Sequence, residues 1–209
     1  MPKVKIPRKS TAIDMTAMCD VAFLLLTFFI LTTKFRAAEV VQIDIPSSTA
    51  QIPIPDKGIM MFNIAPDGKM FFGLDDQPTR LKLLSTLEED YGFQLDDKQR
   101  IAFKTLELWG MDIRALPEFL KKDPNERAHV IQPGLKIDTV GGSQLEDLIL
   151  IARKAYDLEP GRAENDRLRI AIKCDKTTEY QAFDKLIEAL QNRKVNKFNL
   201  ITSAKTAKE

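Results

Sequence analysis

The sequence predicts an α+β protein with one N-terminal transmembrane helix, an extended linker, and a domain that combines a small mixed sheet with helices. Three observations predict this architecture. A membrane-length apolar run covers residues 13–33, and a proline-rich stretch follows over residues 34–58. Beyond it, segments of alternating apolar residues, typical of strands, are interspersed with segments of helical spacing through residues 59–204.

The apolar run from Ile13 to Thr33 is long enough to cross a membrane once. Its about 21 residues, at about 1.5 Å rise each, cover a hydrocarbon layer of roughly 30 Å. The run continues into Lys34-Phe-Arg36 without the small-x-small cleavage site of a signal peptide. We therefore expect an uncleaved membrane anchor.

Flanking charges orient this helix. Four basic residues lie in the tail over residues 1–12, whereas only Lys34 and Arg36 follow the helix closely. The side richer in Lys and Arg normally stays in the cytoplasm. We therefore expect a cytoplasmic N-terminus and a C-terminal domain on the other side of the cytoplasmic membrane.

Composition and motifs exclude several classes of function. The formal net charge is +1, with no dense basic patch, which argues against nucleic acid as a partner. Cys19 and Cys174 lie in separate segments, and His129 has no ligand cluster beside it, so we expect no metal site. Ser143 and Ser203 have no evident base, and no Gly-rich phosphate loop occurs, so we expect no enzymatic activity.

The linker over residues 34–58 is predicted to be extended because its prolines remove backbone donors and disfavour helix. Within it, Val41, Ile43 and Ile45 alternate with polar residues until Pro46 ends the pattern. Two interpretations stay open. The segment is either an apolar linker or a strand that adds to a sheet edge by backbone pairing.

The domain is predicted to begin near Gly58 with a β-hairpin. Residues 59–64 and 69–72 flank Ala-Pro-Asp-Gly, in which proline presets a turn dihedral and Gly68 supplies a positive φ. Leucines at helical spacing predict a helix over residues 79–89.

Residues 93–140 break this regular pattern and are interpreted as a helical insertion. Short helices are predicted over Arg100–Trp109 and Met111–Lys122, because glycine and proline interrupt the helical spacing.

The C-terminal part has the clearest periodicity. A capping box predicts a helix over residues 143–158. A strand over 168–174, a helix over 180–191 and a strand over 198–202 then form a unit that favours neighbouring parallel strands. Residues 205–209 are interpreted as a tail.

Asp20 is the first candidate for function because a carboxylate within a membrane helix costs about 2.5–3.5 kcal/mol on insertion scales. At 100° per residue, Thr16, Asp20 and Thr27 lie within an arc of about 40°, while Asp14 lies nearly opposite, at the cytoplasmic end. This polar stripe on an otherwise lipid-facing helix requires a protein partner or water.

Three roles stay open for Asp20 from the residues alone. It can hydrogen-bond across a helix dimer, pair with a cation on another subunit, or take up and release protons. This helix supplies no cation at membrane depth. Because removal from water disfavours the charged carboxylate, both protonation states come within reach as water access changes.

The residues around Asp20 resemble the signature of the ExbD/TolR biopolymer-transport family. The run Ile13-Asp-Met-Thr-Ala-Met-Cys-Asp20 stands where the family has isoleucine-asparagine-x-threonine-proline-x-x-aspartate. Asp14 replaces the asparagine, and Ala17 replaces the proline. By this resemblance Asp20 is the proton-carrying residue, with Thr16 near the proton path.

On this resemblance, Thr27 and Asp14 are further candidates for supporting the proton path, and Asp14 is alternatively a helix cap. Residues Val41-Gln-Ile43-Asp-Ile45-Pro46 are similar to the apolar-proline motif that follows the helix in the family, which favours the strand interpretation and a partner-binding role. The hairpin and the unit from 168 to 202 are similar to the family's periplasmic domain. Residues 93–140 are extra relative to shorter members.

The resemblance implies a homodimer in the bacterial inner membrane whose helices sit in a pentameric ring of ExbB/TolQ/MotA-like subunits. The C-terminal domain is then periplasmic and passes force to a TonB-like protein that energises outer-membrane import. The protein uses protons and no other cofactor. The alternatives are a TolR-like or gliding-type motor subunit, or a structural envelope anchor that is not energised.

Overall fold

The computed structural model describes residues 15–33, 43–48, 58–135, 144–158 and 167–204. The chain forms two compact units, Met1–Ala38 and Glu39–Glu209. The described part of the linker, residues 43–48, therefore belongs to the second unit, together with the domain.

The first unit contains helix α1, Met15–Thr32, which is the one helix among the described residues that is long and apolar enough to span a membrane. At about 1.5 Å per residue, its 18 residues rise about 27 Å, close to the thickness of a hydrocarbon core. The helix runs without a break through Ala17, where proline would remove a backbone donor.

The second unit mixes strands and helices, which confirms the predicted α+β class. Its elements in chain order are β1 (Ser47–Ser48), β2 (Ile59–Ile64), β3 (Met70–Leu74), α2 (Gln77–Tyr91), α3 (Asp97–Thr105), β4 (Leu108–Trp109), α4 (Leu116–Lys121), α5 (Pro124–His129), α6 (Gln144–Asp157), β5 (Arg169–Cys174), α7 (Tyr180–Asn192), β6 (Asn199–Leu200) and β7 (Ser203–Ala204).

A mixed five-stranded sheet of order β4-β3-β2-β5-β6 organises this unit. The hairpin of β2 and β3 is antiparallel, and its turn contains Gly68 at φ +78°. Strand β5 pairs parallel with β2 on one side and with β6 on the other. The parallel pair β5–β6, joined through α7, is the strand-helix-strand unit that the sequence predicts.

One face of the sheet carries the hydrophobic core. Met60, Phe62 and Ile64 alternate along β2 and are fully buried. They share one core cluster with leucines of α2 and with apolar residues of α6 and α7. Trp109 of β4 belongs to the same cluster, and its ring centroid lies 5.9 Å from that of Phe72.

Arg80 connects α2 to the segment that follows α3. Its guanidinium is buried and donates to the carbonyl oxygens of Lys104 and Leu106 at 2.8 and 2.9 Å, and to that of Asp75 at 3.0 Å. Burial lowers the pKa of Arg80, and the nearby carboxylate of Glu107 opposes this shift. The three carbonyl bonds offset part of the cost of removing this charge from water, while Nε is buried without a hydrogen-bond partner among the described residues.

The structure corrects the helix predicted over Arg100–Trp109. Helix α3 ends at Thr105, and Leu108 and Trp109 form the edge strand β4 instead. Packing of Trp109 into the core overrides the helical spacing, because an edge strand places its indole against Phe72. The strand predicted over 198–202 is likewise shorter, since only Asn199–Leu200 pair with β5.

Among the described residues of the predicted helical insertion 93–140, α3, α4 and α5 are helical, and a 3-10 turn covers Ile113–Ala115. Residues 136–140 lie outside the described residues, as does Ser143, the predicted helix cap. Helix α6 begins at Gln144.

We expect Gly73→Ala to destabilise the sheet, because a Cβ at position 73 would lie 2.2 Å from the carbonyl oxygen of Glu107. The free energy of unfolding should fall by about 1–3 kcal/mol, the usual cost of overpacking. Fluorescence of Trp109, the one tryptophan of the sequence, reports this during denaturant unfolding of the full chain in detergent micelles.

Ser85→Ala, on the exposed side of α2, is the control and should change stability by less than about 0.5 kcal/mol. Equal stability of Gly73→Ala and the wild-type chain would mean that β4 does not approach β3 as the structure shows.

Candidate functional site

The membrane helix α1 contains a single charged residue, Asp20. Asp20 lies five residues after the first residue of the helix, which corresponds to about 8 Å along its axis. Its side chain is exposed, and none of the described residues donates a hydrogen bond to it. The ionised form therefore requires a partner or water from outside the part of the chain that the structure describes.

The helical geometry required for the polar stripe is present, because Thr16, Asp20 and Thr27 all lie within α1. The Thr27 hydroxyl donates to the carbonyl oxygen of Leu24 at 2.9 Å, so its oxygen remains able to accept a hydrogen bond. Asp14, the third residue predicted to support the proton path, lies outside the described residues.

A second candidate site lies in the linker segment, which we define as residues 43–48. The amide of Asp44 donates to Oδ2 of Asp175 at 2.7 Å, and the amide of Lys176 donates to the Asp44 carbonyl oxygen at 2.9 Å. The sequence positions of Asp44 and Asp175 differ by 131, so the chain closes a long loop here.

The linker segment also pairs with the C-terminal end of the described chain. Strand β1 pairs parallel with β7, and the Ser203 amide donates to the Pro46 carbonyl oxygen at 3.0 Å. Ile43 is 9% exposed and so buries an apolar side chain at the other end of the segment. The segment is thus held at both ends.

In this structure the backbone pairing of the linker segment lies outside the predicted strand over Val41, Ile43 and Ile45, and pairing of that strand in a working state of the complex stays a prediction. Backbone pairing with a strand is found two residues later, at Ser47–Ser48. Ile43 is buried and Ile45 is half-buried, while Val41 lies outside the described residues. The physical reason is that the backbone at position 44 bonds to the turn after β5 rather than to a strand.

Pro46 is half-buried and takes part in the pairing through its carbonyl oxygen. Proline has no amide hydrogen to donate, and here none is needed, because the Ser203 amide is the donor. Its position just before β1 is consistent with an edge strand, where proline is tolerated.

Asp175 is the acceptor at the centre of the linker contacts. Its Oδ1 accepts from the Thr177 amide at 2.8 Å and from the Thr177 hydroxyl at 2.6 Å. The Thr177 hydroxyl, followed by the amides of Thr177 and Asp44 and the charge of Lys176, lowers the pKa of Asp175. The ionised Asp175 therefore stabilises the fold fully above about pH 3.9, the ordinary pKa of an aspartate. This contribution to the free energy of unfolding is lost as the pH falls through the lowered pKa of Asp175.

The ion pair beside this carboxylate contributes little. Lys176 Nζ lies 3.1 Å from Oδ2 of Asp44, but the two side chains are 58% and 77% exposed. Exposed pairs of this kind are worth roughly 0–1 kcal/mol. The linker segment is therefore held mainly by its backbone contacts and by Ile43.

No group of three or more His, Cys, Asp and Glu residues within the described ranges could hold a metal ion. Cys19 is exposed on α1, Cys174 is half-buried at the end of β5, and both are free thiols. The two candidate sites that the sequence analysis predicts are the stripe on α1 and the linker segment.

A family model described as biopolymer transport protein ExbD/TolR matches residues 7–205. The match spans α1, the linker segment and the domain, including residues 93–140. No significant match was found among curated proteins or among solved structures. Because the family match covers nearly the whole sequence, the chain belongs to the ExbD/TolR family of biopolymer transport proteins.

Proposed function

We propose that this protein is the proton-motive-force-driven subunit of an ExbB-ExbD-type inner-membrane complex that energises TonB-dependent transport across the outer membrane. The single observation that carries the proposal is Asp20, the one charged residue of a membrane-length helix, and the resemblance of residues 13–20 to the family's signature supports it. Members of the ExbD/TolR family are energy-transduction subunits of biopolymer transport and not enzymes.

Protonation of Asp20 supplies the switch in this mechanism. An ionised carboxylate requires a polar partner, whereas a neutral carboxyl group tolerates an apolar wall. Since α1 offers no cation of its own, the partner comes from an ExbB/TolQ/MotA-like pentameric ring around the two α1 helices of a homodimer. Each change of protonation state then favours a different orientation of α1 in the ring.

In this proposal the C-terminal domain transmits the force that reorientation of α1 generates. With the N-terminus in the cytoplasm, the domain lies in the periplasm, where movement of α1 pulls on the chain that leads to the linker segment. The domain passes this force to a TonB-like protein. The two compact units of the structure support a division of labour between a membrane helix and a separately folded force receiver.

A TolR-like or gliding-type motor subunit is the second candidate, because the matching family model covers both ExbD and TolR proteins. The Asp20 switch serves this role equally well, and only the process that receives the force differs. Deleting the gene separates the candidates, since an ExbD-type subunit is required for siderophore or cobalamin import, whereas a TolR-type subunit is required for envelope integrity.

We expect Asp20→Asn to reduce energised import of siderophore or cobalamin to the level of cells that lack the protein. Asparagine keeps the size and hydrogen-bonding capacity of the side chain but cannot carry a proton. Assembly should be intact, as copurification with the multi-span ring subunit measures.

Cys19→Ser is the matched control, because it changes a neighbouring position of α1 that points about 100° away from Asp20. Import should be normal in this variant. Normal import by cells that carry only Asp20→Asn would rule out the proton-relay role and favour a structural anchor.

We also expect the backbone amides of Val41, Ile43 and Ile45 to be protected from hydrogen exchange in one working state of the assembled complex. Their alternation suits an edge strand that pairs with a partner when force is transmitted. Exchange measured with and without the TonB-like protein tests this, with the β2 amides of Met61 and Asn63 as a protected reference. Rapid exchange of the three amides in every state would contradict the prediction.

A further inference from the structure

The contacts of the linker segment follow a definite order along the chain. Coming from the membrane side, Asp44 is the first described residue of the second unit whose backbone bonds to the rest of the domain. Both its amide and its carbonyl oxygen are engaged, by Asp175 and Lys176. The β1–β7 pairing follows only after Pro46. Tension that arrives from the N-terminal side therefore reaches Asp44 before β1.

Asp175 is suited to hold a backbone amide. Its carboxylate accepts three hydrogen bonds, two on Oδ1 from Thr177 and one on Oδ2 from Asp44. Hydrogen bonds to an ionised acceptor are shorter and stronger than neutral ones. The residue is only 6% exposed, so while the linker segment is in place its hydrogen bonds are shielded from water.

Asp175 also connects directly to the sheet. It follows the last residue of β5, and its amide donates to the carbonyl oxygen of Ile64 in β2 at 3.2 Å. Strand β5 lies between β2 and β6 rather than at an edge of the sheet. A pull on Asp44 is therefore passed to two paired strands that share a six-residue ladder.

We propose that the Asp175 carboxylate is a clasp that fixes the linker segment to the domain and passes tension from the membrane side into β5. The origin of that tension rests on the proposed function, whereas the clasp itself rests on the contacts of Asp44, Asp175 and Lys176.

The clasp also sets the length of chain between α1 and the domain. Ten residues lead from Thr33 to Ile43 and can span at most about 36 Å. If the clasp and β1 detach, twenty-five residues lead from Thr33 to Gly58 and can span at most about 90 Å. A closed clasp thus lowers the upper limit of this span, and the proposal uses this limit to pass tension to β5.

Asp175→Asn tests the clasp with minimal change of shape. The asparagine oxygen can still accept from Thr177, but an NH₂ group then faces the Asp44 amide, and two donors cannot bond to each other. Asp44→Asn is the matched control, since it removes the exposed pair with Lys176 and keeps the backbone bonds. Asp44→Pro deletes the donor from the linker side and leaves the turn after β5 unchanged.

Hydrogen exchange on the full chain, copurified with its ring subunit, gives the first readout. In Asp175→Asn the amide at position 44 should exchange about tenfold faster or more, as expected for loss of a hydrogen bond to a charged acceptor. In Asp44→Pro, which has no amide at that position, the amide of Ser48 in β1 should exchange faster. Asp44→Asn should match the wild-type chain within about twofold. An unchanged Trp109 unfolding transition verifies that the domain is folded in each variant.

Energised import gives the second readout and separates the clasp from the proposed function. We expect Asp175→Asn and Asp44→Pro to lower import at least fivefold with assembly retained, and Asp44→Asn to import normally. Unchanged exchange at position 44 in Asp175→Asn would overturn the clasp. Faster exchange with normal import in both disruptive variants would overturn its role in transmitting tension. Normal import by Asp20→Asn would instead contradict the proposed function and leave the exchange result valid.

Discussion

The parallel pairing of β2 with β5 is the interaction on which the rest of the domain depends. It joins Ile59–Ile64 to Arg169–Cys174 across more than a hundred residues, with six residue pairs in register. The hairpin partner β3 is attached to one side of this ladder and β6 to the other. Since Asp175 directly follows β5, the same ladder positions the carboxylate that holds the linker segment.

Features that depend on neighbouring residues could be predicted from the sequence. The hairpin follows from a turn in which Gly68 takes a positive φ, and α1 follows from the length of its apolar run. Asp20 could be identified for the same reason, because the cost of a carboxylate in a membrane helix is a property of that helix alone. The family signature adds a role to a residue that physical chemistry already singles out.

Features that depend on distant partners could not be predicted. Trp109 follows residues with helical spacing, but the core space beside Phe72 determines that it belongs to a strand. In the linker, apolar residues alternate with polar ones at Val41, Ile43 and Ile45. The linker backbone instead pairs after Pro46, with Ser203 and Ala204 of β7. Asp175 and Thr177 have the spacing of a turn, and nothing near them in sequence indicates that the third donor is Asp44.

The two aspartates that carry the proposals have different hydrogen-bonding environments, and the proposed mechanism assigns them different roles. Asp20 receives no hydrogen bond from the described residues, so any partner of its carboxylate comes from outside the part of the chain that the structure describes. Asp175 is surrounded by donors that lower its pKa, so it stays ionised at neutral pH. In the mechanism that we propose, a proton that reaches Asp20 changes the state of α1 while the clasp on the domain stays closed, so the domain receives the pull through a fixed point of attachment.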